Sequence, residues 1–189
     1  MSHRGGRSAS VQFSSERLVL RSIDESDHDL YCELFSDAET MHHVGPAWTR
    51  DEAARAFSSV LQWTRRVPPR AVFLTLTPKD TQLPAGLCTL QNFDWSQRCA
   101  ELGLMFVPSA RAHGLATEAV VAVIAHAFTA LPCDEVWVRI AVDHLAAERT
   151  ALRAGLVRHA QALPQDLAAN VRRWSAYRGS WQPAASDRT

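Results

Sequence analysis

Apolar positions along the chain change period in a way that separates strands from helices. Leu18, Val19 and Leu20 sit between Arg17 and Arg21, a short β-rich centre between charges. After a dense acidic stretch from Asp24 to Asp29, Leu30, Tyr31, Leu34 and Phe35 recur at helical spacing. Acids in a first turn suit the positive end of a helix. Gly45-Pro46 breaks the chain. Thr49-Arg50-Asp51-Glu52 then has the form of a capping box, opening a helix with Ala53, Ala56, Phe57, Val60 and Leu61 on its apolar side. Pro68-Pro69 stops that helix.

The middle of the chain predicts strands over 71–77, 85–93 and 100–107, joined by Pro78-Lys79-Asp80 and by the stretch 94–98 and closed by Pro108. Residues 117–131 are almost wholly apolar and read as a helix buried on most sides, ended by Pro132. Val136, Val138, Ile140 and Val142 alternate with Trp137, Arg139 and Ala141, the period of a strand. Residues 145–154 form a short helix with Gly155 as its stop, and 156–160 and 171–177 read as two further strands around a Pro164 loop. Strands, then a helix, then strands on a mixed sheet define a layered α/β (α+β) domain.

Composition narrows the class. With 189 residues, the chain suits one domain, taken as residues 15–181 between polar tails at 1–14 and 182–189. No apolar run approaches the roughly 20 residues of a membrane span. The opening MSHRGGRSAS has no apolar centre and does not read as a secretory signal, which points to the cytoplasm. Cys32, Cys88, Cys99 and Cys133 lie far apart with no CxxC pair, so reduced thiols are expected and no metal framework. Zero formal net charge argues against a general nucleic-acid binder. That zero is a cancellation. Nine acids between Asp24 and Glu52 face Arg50 alone, a local charge of −8, whereas five cations and no acid lie between Arg55 and Lys79.

One turn carries candidate chemistry. Leu102 to Glu118 reads as a strand, a turn, and a helix whose start contains Arg111-Ala112-His113-Gly114-Leu115-Ala116. Free N–H groups at a helix start favour anions, Gly114 permits close backbone approach, and small Ala112 and Ala116 leave those groups uncovered. Such a turn can cradle a pyrophosphate. Ordinary capping gives the same pattern.

The stretch AELGLMFVPSARAHGLATEAV resembles motif A of the GNAT superfamily of N-acetyltransferases, Arg/Gln-x-x-Gly-x-Gly/Ala after a bulged fourth strand. SERLVLRSIDESDHDLYCELFSD and ALRAGLVRH resemble the branch that contains ribosomal-protein N-terminal acetyltransferases, in the same order. The resemblance spans about residues 15–181. It implies a mixed, strongly twisted sheet with about four helices, splayed between its fourth and fifth strands. Acetyl-CoA would lie in the splay, its pantetheine arm beside Leu104, Met105 and Phe106 and its pyrophosphate on Arg111, Ala112, His113, Gly114, Leu115, Ala116 and Thr117. A homodimer is a further expectation of that branch.

The departures from the pattern matter for mechanism. His144 stands where the family often has a cofactor-contacting Asn, and Ala147 and Ala151 stand where other members carry a Ser or Tyr that protonates the departing thiolate. His144 is therefore a candidate for that proton, with solvent as the alternative. Glu101 is the candidate base, because this branch often places a carboxylate there. His42, His43 and Trp48 lie in the connection between the first two helices, which lines the acceptor side in this fold. His126 reads as a core histidine. The acidic wall suits a cationic amine acceptor: a basic peptide N-terminus, a polyamine or an aminoglycoside. An α-amine, with pKa about 7.7–8.0, needs less help from a base than lysine at about 10.4. A catalytically silent acyl-CoA-binding domain is the alternative from another class. A nucleotide module is disfavoured, since no Lys-Ser/Thr follows the turn.

Overall fold

The computed structural model describes residues 10–66, 69–111, 113–161 and 164–184. Its strands are β1 (Gln12–Ser14), β2 (Leu18–Ser22), β3 (Val72–Pro78), β4 (Gly86–Asp94), β5 (Cys99–Phe106), β6 (Glu135–Ala141), β7 (Val157–Arg158) and β8 (Val171–Tyr177). Its helices are α1 (His28–Ser36), α2 (Ala38–Met41), α3 (Arg50–Thr64), α4 (Leu115–Ala130), α5 (Leu145–Arg153) and α6 (Pro164–Ala168), with single 3-10 turns at Glu25–Asp27 and Pro108–Ala110. The strands form one sheet in the order β1-β2-β3-β4-β5-β6-β8-β7, antiparallel throughout except for β5 beside β6.

The mixed α/β class expected from the pattern holds, with these corrections. Gln12–Ser14 pairs with β2 although 1–14 reads as a tail; the segment is too short to show a period. β1 therefore shifts the splay from fourth and fifth strands to β5 and β6. The described residues hold six α-helices rather than about four, because α2 and α6 are single turns without an apolar stripe. The Pro164 loop is α6, with proline at its first position where its missing N–H costs nothing. The strand expected over 156–160 is reduced to Val157–Arg158. Residues 1–9 and 185–189 of the expected tails lie outside the described residues.

Two apolar cores flank the sheet. Val120, Val123, Ile124 and Phe128 of α4 meet Leu18, Leu74, Leu90 and Val136 on one face. Tyr31 and Leu34 of α1 and Phe57 and Val60 of α3 meet Phe73 and Leu87 on the other. The capping box forms in full: the Thr49 side chain accepts from the Glu52 amide, and the Glu52 side chain accepts from the Thr49 amide. Gly155 follows α5 at φ +79°, and a Cβ there would meet Gln182 O at 2.2 Å, so both backbone and packing require glycine. No helix among the described residues is long and apolar enough to cross a membrane.

Candidate active site

β5 and β6 run side by side for only three registers, Cys99 with Glu135, Ala100 with Val136 and Glu101 with Trp137. Beyond Glu101 the strands part, so residues 102–106, with Leu104, Met105 and Phe106 among them, have no strand partner on the β6 side. Unpaired peptide groups along such an edge can be satisfied by an amide-bearing ligand. The irregularity in this part of the sheet lies on β4, between Gln91 and Asp94, opposite Glu101 and Cys99 rather than in β5 itself.

The chain leaves β5 through the Pro108–Ala110 turn and enters α4 at Gly114, which has φ +74° and ψ −1° and caps the helix without a side chain. The amides of Leu115, Ala116 and Thr117 open the helix; its first turn has no earlier helical carbonyl to bond. His113 and Gly114 are exposed, and Ala112 lies outside the described residues. Arg17, unremarkable in the sequence, completes this turn. Its Nη1 donates to His113 O at 2.8 Å, its Nε to Glu118 Oε2 at 2.7 Å and its backbone amide to Glu118 Oε1 at 2.6 Å. Arg17 Nη2 is the atom nearest the position a Cβ would take on Gly114, at 3.5 Å. A guanidinium thus stands beside a helix N-terminus, and both favour an anion. The Arg111 side chain turns the other way: its Nη1 donates to Glu39 at 2.7 Å, its Nη2 to Thr40 Oγ1 at 2.6 Å and its Nε to Phe106 O at 3.1 Å. Only its backbone belongs to the candidate cradle.

Glu101 lies where the strands separate and is 6% exposed. Arg139 grips it with two bonds, Nε to Oε1 at 2.9 Å and Nη2 to Oε2 at 3.1 Å, and Asn92 Nδ2 donates to Oε2 at 2.6 Å. Asn92 reaches it from the β4 irregularity at φ +51°, a conformation asparagine tolerates better than most residues. Both lone pairs of Oε2 are filled, and Oε1 keeps one. The guanidinium of Arg139 lies 5.5 Å from the Trp137 ring and that of Arg173 lies 4.3 Å from it, with Arg173 also donating to Glu135 at 2.9 Å. Asn92, Trp137, Arg139 and Arg173 escaped the sequence reading. The alternation over 136–142 did place Trp137 and Arg139 on one face, which was the available signal.

At the far end of the opening, the segment after α2 meets the loop after β6. The His43 ring stacks on His144 at 4.0 Å and touches His42 edge-on at 4.6 Å, and His43 Nδ1 lies 3.5 Å from Asp143. The structure therefore brings His42, His43 and His144 together and leaves Glu101 at the other end of the splay, two residues before Arg139 in register terms. Trp48 stands apart, stacked on Phe35 at 4.9 Å within the α1–α3 wall. His42, His43 and Asp143 offer ligand atoms within 4.8 Å of one another, looser than the ~3.3 Å spacing that tetrahedral zinc bonds of about 2.0–2.1 Å impose.

Burial, reinforced by the neighbouring His43, holds the His144 pKa below the ordinary imidazole value. Burial does the same for His126, which stacks on Phe13 at 4.3 Å. Between the lowered folded values and the ordinary value of about 6.5, the unfolded chain binds more protons, so stability must fall as pH falls through that window. Melting temperatures from pH 7.5 to 5 should show this decline, and His126→Gln with His144→Gln should flatten it; an unchanged slope would contradict the assignment.

The acidic wall is largely spent on structure. Asp24, Asp37 and Glu52 cap helical turns, Glu25 pairs with Arg65, Asp29 with Arg50 and Glu39 with Arg111. Asp27 is 1% exposed and accepts from Arg21, Thr75 Oγ1 and the Asp24 amide. Among the described residues, Glu33 and Asp51 are the members of the nine without a cap bond or an ion pair. A hollow of about 600 Å³ beside Leu152, Leu156 and Trp174 has neither the turn nor the histidines in its lining.

A mixed sheet that opens between two parallel strands beside an uncovered helix start makes a cleft suited to an anionic, amide-bearing ligand. The family model described as Acetyltransferase (GNAT) domain matches residues 17–157, and the chain belongs to that family, as an acetyl-CoA-dependent N-acetyltransferase. Over 142 residues it is 23% identical to YoaA, an uncharacterized N-acetyltransferase of Bacillus subtilis, covering 75% of this chain and 80% of that one. Among solved structures, the spermidine N-acetyltransferase of Vibrio cholerae, in complex with CoA and spermine, superposes with a TM-score of 0.73 at 16% identity, covering 86% of this chain and 96% of that one. A Vibrio cholerae protein whose name proposes a ribosomal-protein-serine acetyltransferase gives 0.72 at 22% identity, with coverages of 88% and 97%. At these identities the structural likeness establishes the fold.

Proposed function

We propose that the protein moves an acetyl group directly from acetyl-CoA to the α-amine of a peptide or protein N-terminus. The observation that carries this reading is the state of its carboxylates. Glu101, Glu135 and Glu148 are each paired with an arginine (Arg139, Arg173 and Arg172), and the segment 24–52 spends most of its acids on caps and ion pairs. A polyamine needs several carboxylates with free lone pairs for its charges, and of the nine acids between Asp24 and Glu52 only Glu33 and Asp51 are without a cap bond or an ion pair among the described residues. An α-amine is appreciably neutral near pH 7 and asks for one proton acceptor at most.

In this reading the amides at 113–117 and Arg17 take the pyrophosphate, and the open edge at Leu104–Phe106 pairs with the pantetheine arm. The arm then runs back toward Glu101. The amine nitrogen attacks the thioester carbonyl, the carbon–sulfur bond breaks, and the thiolate leaves to be protonated by solvent, its pKa of about 8.5 making it a fair leaving group. The amine proton passes to the remaining lone pair of Glu101 Oε1, directly or through one water. His144 lines the arm rather than the reacting carbon, and His42 and His43 border the acceptor entrance. Four free thiols, three of them buried, suit the cytoplasm.

The test is thiol release from acetyl-CoA across one panel: peptides with a free α-amine, the same peptides N-terminally blocked but carrying lysine, spermidine and an aminoglycoside. Release with free-α-amine peptides alone supports the reading, and Glu101→Gln should lower it without weakening CoA binding. Preference for spermidine would transfer the assignment to small-molecule amines. CoA binding without turnover on any amine would favour a silent binding domain.

A further inference from the structure

We propose that the Arg111 side chain is a strut that couples CoA binding at the β5–α4 turn to the position of α2 and of the histidines after it. The inference rests on the cofactor reading above, and it goes beyond it by joining the cofactor turn to the acceptor wall.

The segment 37–45 spans the open end of the splay and is fastened to both of the parting strands. On the β5 side, the Arg111 fork holds Glu39 and Thr40 while its Nε holds Phe106 O, the last carbonyl of β5. On the β6 side, His43 stacks on His144 and approaches Asp143, in the loop that follows the strand. α2 has four residues, too few to persist as an isolated helix. Besides its backbone bonds and the buried Met41, its own side-chain fastening is one cap, in which Asp37 accepts from the amide and the hydroxyl of Thr40. Thr40 Oγ1 is thus a shared joint: it donates to Asp37 Oδ2 and accepts from Arg111 Nη2. Arg111 is planar and fork-shaped, so it fixes direction as well as distance between the groups it bonds.

A ligand that enters between β5 and β6 and settles on the amides after Arg111 orders the two anchor points of this bridge together. Ordering the turn therefore orders 37–45, although no residue of that segment belongs to the cradle. By linkage, an acceptor that orders the segment must tighten CoA by the same factor. The guanidinium is a transmitter here, and its charge is not spent on phosphate.

Hydrogen exchange on the full-length protein, with CoA as the probe, reads this without knowing the acceptor. In the wild type, CoA should slow exchange at 113–118 and, several-fold, at 37–45. In Glu39→Ala/Thr40→Val, CoA should still slow 113–118 while most of the slowing at 37–45 disappears. Thr40→Ser, which keeps the hydroxyl, should behave as wild type, and unchanged melting of each variant confirms that it folds. Full protection of 37–45 in the double variant, or none there in the wild type, would overturn the strut. Loss of protection at 113–118 in the double variant would also overturn it. A wild type in which CoA leaves 113–118 unprotected would refute the cofactor reading instead.

Discussion

Replacing Gly114 by leucine should leave a folded protein that no longer holds CoA. Gly114 adopts φ +74° at the start of α4, where an L-residue pays about 1–2 kcal/mol in backbone strain. Space is not the obstacle, since a Cβ would meet nothing closer than Arg17 Nη2 at 3.5 Å. For a chain of this size that strain lowers the melting temperature by roughly 2–8 °C. The larger effect is on the ligand. A leucine side chain must lie over the turn, displace the Arg17 guanidinium and cover the amides that a pyrophosphate would use. CoA affinity should fall by about 100-fold or more, and the rise in melting temperature that CoA gives the wild type should vanish. Gly114→Ala should show the backbone cost with a much smaller loss of affinity. If Gly114→Leu binds CoA normally in calorimetry, the phosphates do not sit on this turn.

The second large effect is on stability. Asp27→Ala removes a carboxylate that takes both Arg21 Nη1 and Nη2, at 2.7 and 2.8 Å, together with Thr75 Oγ1 at 2.8 Å and the Asp24 amide at 2.9 Å. Thr75 is fully buried, so its hydroxyl loses its partner without gaining water. Breaking a buried ion pair by deleting one member costs about 3–5 kcal/mol, which corresponds to a fall of roughly 6–20 °C in melting temperature. Glu33→Gln, at an exposed position, should move it by less than about 2 °C. Equal, small effects would mean that Asp27 is replaceable by water. The contrast matters for function, because Asp27 and Glu33 look alike in the sequence. One is a buried fastener between β2, β3 and the first turn, and the other is free to meet an acceptor.

That pair shows how far the sequence reaches. Period and capping are local, so the Thr49–Glu52 box, the alternation over 136–141 and Gly114 at a helix start all fold as read, with Val142 already in the turn after β6. The parting of β5 from β6 came through the resemblance carried by Arg111-Ala-His-Gly114-Leu-Ala116. What stayed hidden depends on register between distant segments. The Glu101–Arg139 bond joins residues 38 apart, and Arg111 reaches α2 across 72 positions. A count of acids cannot tell a cap or an ion pair from a free charge, so the −8 wall shrinks once Glu25, Asp27, Asp29 and Glu39 are seen on arginines and Asp24, Asp37 and Glu52 on backbone amides. Likewise, nothing near Arg17 in the chain announces a role beside Gly114, because its partners lie about a hundred residues later.

The brace between the chain's start and α4 also bears on how the protein is made. Ser15 and Arg17 bind Glu118 across separations of 103 and 101 residues. Closing a loop of that length costs on the order of 4 kcal/mol in chain entropy, which favours local helices and hairpins forming first. During synthesis, Ser15 and Arg17 emerge long before Glu118. The candidate cradle at Gly114 is therefore expected among the last parts to assemble, and a ligand that settles on it would favour chains that have finished folding.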